Sequence, residues 1–213
     1  MGMAFLNKLL KTGTTSDEVS AAGTPTGLAL VASGASMYEE VNRTGTMFTV
    51  MNTTAVASVI ALPTTACALG LFNNAADGGK SMVIDAVFAL AIVVEATINQ
   101  AGIIYYLGDA RETALTDALI PRKQNGMGTG SDIALCAAGG AIMTSAAAID
   151  WRPIGNSMIM GVTSLPGLQL YERVDGMIII PPGRMFGLNV FTNDVTTTYT
   201  VGAVWHEAQL ALS

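Results

Sequence analysis

Residues 171–210 read YERVDGMIIIPPGRMFGLNVFTNDVTTTYTVGAVWHEAQL. Three apolar runs stand in this stretch. They hold Ile178-Ile179-Ile180, Leu188-Asn189-Val190 and Trp205-His206-Glu207. Pro181-Pro182-Gly183 and Asn193-Asp194 fall between them. Gly, Asn and Asp tolerate positive φ, and Pro presets a turn, so these are breaks in the chain. Short branched and aromatic runs divided by such breaks are strands.

The same grammar extends upstream. Met47, Thr49 and Met51 alternate with Phe48 and Val50, which is the period of a strand. AVASVIAL at 55–62 and ACALGLF at 66–72 flank Pro63-Thr64-Thr65 and are read as strands. NNAADGGK at 73–80 is read as a hairpin turn. KSMVIDAVFALAIVVEA is long enough for one bent strand or two. GIIYYL follows, and NSMIMGVTSL opens the last third. The segment 110–132 is read as a surface loop with one helical turn before Pro121. IALCAAGGAIM at 133–143 fits strand or helix. Many short strands at regular spacing predict an all-β antiparallel β-sandwich of jelly-roll type, spanning residues 27–213.

Residues 1–26 differ. Phe5, Leu6, Leu9 and Leu10 share one helical stripe, followed by a small, polar, Gly- and Pro-containing stretch. This predicts an N-terminal arm with a short amphipathic helix. A terminus that packs on its own domain is the plain alternative.

Only 12% of the 213 residues are charged and 51% are hydrophobic, against about 25% charge in ordinary soluble domains. This excludes an acidic disordered chain. The net charge of −6 disfavours phosphate, so no nucleic-acid partner is expected. Either a membrane or another protein then takes up the apolar surface. A spanning helix needs about 20 apolar residues. The longest uncharged stretch, 44–76, is broken by Asn52, Pro63, Asn73 and Asn74, and the greasiest, 86–94, lies between Asp85 and Glu95. No membrane span is expected.

Site signatures fail one after another. Gly78-Gly79-Lys80-Ser81 lacks the glycine six residues before the lysine, where Asn74 stands. Gly126-Met127-Gly128-Thr129-Gly130 is an isolated glycine run. His206 is the single histidine, no GxSxG elbow accompanies it, and a half-buried or interface histidine is the simpler reading. Asp17-Glu18 and Glu39-Glu40 are the adjacent acidic pairs, without calcium-loop spacing. Cys67 and Cys136 sit in apolar runs and read as small buried hydrophobes. No catalytic residue, metal ligand or cofactor is expected.

The closing stretch resembles the last strands of small β-sandwich virion proteins of tailed bacteriophages. An apolar strand ends at a Pro-Gly corner, a second follows, and a Thr-rich turn leads to a strand ending in Trp-x-Glu. GLFNNAADGGKSMVIDAVF is similar in style to their earlier hairpin. The resemblance implies a non-enzymatic virion protein of capsid decoration or cement type. It implies a homo-oligomer, a trimer, bound to a major capsid protein. Residues Phe5, Leu6, Leu9 and Leu10 are then the expected partner-binding residues of the arm. A receptor- or glycan-binding head of a phage fibre or tail is the alternative, with 110–132 as its binding loop. A major coat protein and a hydrolase rank below both.

Overall fold

The computed structural model describes residues 38–93, 99–108, 115–116, 118–138, 151–160 and 169–210. The chain divides into two compact units, Met1–Glu40 and Val41–Ser213. Phe5, Leu6, Leu9 and Leu10 and the expected boundary at 26/27 lie outside the described residues.

A five-residue helix, α1 (Glu39–Arg43), leads into the strands. Its acidic first turn and basic last turn suit the helix dipole. Eleven strands follow: β1 (Met47–Met51), β2 (Val56–Ala57), β3 (Leu69–Asn73), β4 (Ser81–Val93), β5 (Asn99–Leu107), β6 (Arg122–Lys123), β7 (Ala134–Ala138), β8 (Trp151–Met160), β9 (Gln169–Ile180), β10 (Met185–Thr192) and β11 (Thr198–Ala208). The first sheet runs β6-β1-β11-β4-β9, with β2 also on β11. The second runs β7-β3-β10-β5-β8. Every pairing within them is antiparallel. The two sheets pack face to face as a β-sandwich.

The pairing is nested. β1 pairs with β11, β3 with β10, β4 with β9 and β5 with β8. The order is that of one long hairpin folded over on itself. Alternate residues of both sheets meet in the core. Phe48, Val87, Val201 and Trp205 come from the first sheet, and Leu69, Ile103, Phe186 and Leu188 from the second. Trp205 is fully buried and stacks on Phe48 at 5.8 Å between ring centroids. A smaller cluster includes Phe72, Ile104, Tyr106, Trp151 and Met185 on the second sheet, with Cys67 and Leu115. The Trp151 indole donates to Pro63 O at 2.7 Å, joining the 63–67 segment to that cluster.

Two expectations change. The turn at 73–80 does not make a hairpin, because it joins strands of opposite sheets, as the break at 181–183 also does. Both flanking strands bury one face in the shared core, so the connection arches over its end. AVASVIAL forms only the two-residue β2. Beyond it the backbone crosses β10, where Val59 N donates to Val190 O and Thr192 N to Val59 O. Just before Pro121, Ala118 N and Leu119 N both donate to Cys136 O in β7; residues 110–114 and 117, where the helical turn was expected, lie outside the described residues. The run 133–143 is a strand over Ala134–Ala138.

Candidate functional site

β4 passes through the first sheet with one residue too many. Ile84 pairs with Trp205 and Ile178, and Ala86 pairs with Val204 and Arg173. Asp85 is the residue left over, a β-bulge that turns its side chain out of the core. Opposite it four residues of β9, Val174 to Met177, stand against Asp85 alone. Asp175 and Gly176 take φ of 48° and 81° there, and Met177 stands 80% exposed. The carboxylate of Asp85 is 2% exposed and meets His206 Nδ1 at 2.9 and 3.0 Å. His206 is thus half-buried and held by one partner, as its sequence context suggested. Among the described residues, no hydroxyl or thiol hydrogen-bonds its other nitrogen.

Neighbouring Glu207 points the other way and is 8% exposed. Ser131 Oγ donates to it, and the same oxygen accepts from Ala134 N at 2.9 Å. Burial pushes the Glu207 carboxyl up from 4.5, outweighing the Ser131 bond and the Lys80 charge. This buried contact ties the 131–134 segment to the end of β11.

The outer face of the first sheet is more distinctive. In register, Met51 pairs with Gly202, Gly202 with Phe88 and Phe88 with Tyr171. Their chain neighbours Val50, Val87, Ala89, Val201, Ala203 and Leu170 lie in the core, so this row faces outward. A Cβ on Gly202 would stand 2.2 Å from Phe88 Cζ and 2.7 Å from Val50 O. The bare glycine therefore lets the Phe88 ring lie across β11. Met51 is 46% and Tyr171 54% exposed, and Ile92 further along β4 is 40% exposed. No charged residue interrupts the row. Arg173 marks its rim on β9 and pairs with Asp175 at 3.2 Å.

The remaining motifs lie in turns and strand ends. Gly78, with φ of 79°, serves the β3–β4 arch, and Lys80-Ser81 runs into a strand rather than a helix. In the 110–132 segment, Lys123 N donates to Gly128 O and Gly130 N to Pro121 O. The glycine run is the return limb of a small hairpin, and Gly126, Gly128 and Gly130 all take positive φ. Cys67 and Cys136 are buried and not bridged in a disulfide, and burial pushes the Cys67 thiol up. Among the described residues, no three acidic, histidine or cysteine side chains cluster to hold a metal. Among them also, no helix is long and apolar enough to cross a membrane.

Sequence reading anticipated a half-buried His206 and the chain breaks at 73–80, 181–183 and 193–194 but missed the outer row. Its signal was present in β4, where Phe88, Leu90 and Ile92 alternate with Val87, Ala89 and Ala91. Both sets are apolar, so alternation did not reveal a second, uncovered face. No protein-family model and no curated protein sequence matches the chain.

Proposed function

We propose that the protein is a non-enzymatic virion structural protein of capsid decoration or cement type. It works as a homo-oligomer and stabilises the particle by protein–protein contact. The uncharged row Met51–Phe88–Tyr171 carries this reading. A face like this gains by burial at about 25 cal/mol per Å² and desolvates no charge. The nested strand order supports the jelly-roll form of the sandwich, with eight principal strands in two sheets. His206 has Asp85 as its hydrogen-bond partner, an arrangement that holds the ring in place at the β4 bulge. The virion setting, the trimer and the major capsid partner rest on the resemblance of the closing strands.

Light scattering on the eluting full-length chain tests the contact. The expected mass is that of a trimer, and Tyr171→Glu is expected to give a folded monomer. A wild-type monomer would remove the oligomer from the proposal. Mass spectrometry of purified particles tests the setting, and absence of the chain from them would overturn it. The receptor-binding alternative gains one observation of its own, a groove on the second sheet.

A further inference from the structure

A groove of about 750 Å³ opens on the second sheet between β5, β8 and β10. Its floor is Gly102. Phe191 pairs with Gly102 in register and, with Ile60, forms one wall. Ile104 and Pro153, also paired, form the other. Phe191 is 37% and Ile60 56% exposed. Gln100, Ser157 and Asn193 close one end.

Gly102 decides what the groove is for. Glycine weakens a strand interior, so it needs a reason. Gly202 has one in the Phe88 ring, and Gly155 has one in its φ of 73° and the Glu172 side chain against it. Gly102 has neither. Its φ is ordinary, and an added Cβ would meet only Ser157 Cβ at 3.8 Å, a normal contact. Folding does not require the missing side chain; keeping the floor clear does. β8 also leaves its register here, between Ile103↔Ile154 and Ala101↔Met158, so Gly102 has no partner residue on that side. Bulges of this kind recur beside binding sites.

The lining states the ligand's chemistry. It contains no Asp, Glu, Lys or Arg, so it offers nothing to a charged group. The amides and hydroxyl stand at one end. Gln100 Nε2 donates to Ser157 Oγ at 2.9 Å, and Asn193 Oδ1 accepts from Gln100 N at 3.0 Å. That leaves Gln100 Oε1 as an acceptor and Asn193 Nδ2 as a donor. An exposed ring beside a bare floor, with a donor and an acceptor at the end, matches a molecule with one C–H face and hydroxyl edges. We propose that this groove binds a neutral sugar ring of a glycan. The proposal rests on the groove alone, and the capsid reading survives its failure.

The test is amide NMR of the isotope-labelled full chain, titrated with neutral hexose tetrasaccharides to about 10 mM, the regime of weak single-site binding. Saturable shifts confined to Gly102, Ile104, Ser157 and Asn193 are expected with at least one sugar. Phe191→Ala is expected to weaken them about tenfold, the loss of one ring contact. Gly102→Val is expected to abolish them with the sheet intact. Should Gly102→Val misfold, Ile60→Ser on the rim replaces it and is expected to weaken binding. No saturable shift with any sugar overturns the proposal, as do shifts that survive every variant. Shifts that follow protein concentration alone would assign the groove to a second copy and overturn it equally.

Discussion

Glu207 carries a charge where the fold would rather have none. Burial raises its carboxyl above the 4.5 of the unfolded chain. The folded state therefore keeps a proton that the unfolded state releases. Stability from this group is full below pH 4.5 and declines as pH rises through the folded-state value. Glu207→Gln keeps an oxygen that accepts from Ser131 and removes the titration. Urea unfolding at neutral pH is expected to show the variant equal to or more stable than the wild type. The decline between pH 4.5 and neutrality is expected to flatten. A variant clearly weaker at neutral pH would mean that the ionised carboxylate, not the buried contact, holds the 131–134 segment.

Among the elements, the arches deserve the weight that sequence reading gave to hairpins. Asn73, the last residue of β3, is fully buried. Its Nδ2 donates to Ile180 O at 2.9 Å and Lys80 O at 3.0 Å, and its Oδ1 accepts from Ala75 N at 3.0 Å. One amide thereby links the end of β9, in the first sheet, to β3, in the second. Asn73→Ala removes three hydrogen bonds to backbone groups and is expected to cost about 3 kcal/mol, read as a lower urea midpoint with an unchanged slope. A loss under about 1 kcal/mol would mean that water replaces the amide. The turn chemistry at 73–80 was legible because Asn, Asp and Gly announce breaks. Which strands a break joins was not, since an arch and a hairpin use the same residues. The register slip at Asp85 was hidden for a related reason: an apolar run on both sides of an acid reads as continuous. The two-residue β2 was overestimated because AVASVIAL has strand composition, while its backbone bonds go to a neighbouring strand it merely crosses.

For the molecule as a whole, the sandwich followed from periodicity and punctuation, while the partner and register of each strand followed from neither. The charge shortage now has a location. The first sheet turns Met51, Phe88 and Tyr171 outward without a charge among them, while the chain carries a net −6. A contact between copies through that row would be apolar, opposed by the repulsion of two acidic molecules. Salt shortens the reach of that repulsion, from about 30 Å at 0.01 M to about 10 Å at 0.1 M, and leaves the apolar gain intact. Sedimentation of the wild type across that range is expected to show the oligomer fraction rising with salt, at constant protein concentration. Tyr171→Glu places a carboxylate in the row and is expected to remain monomeric throughout. If the wild-type oligomer instead dissociates as salt rises, ion pairs rather than this face hold the copies together, and the contact must be sought where the charges are.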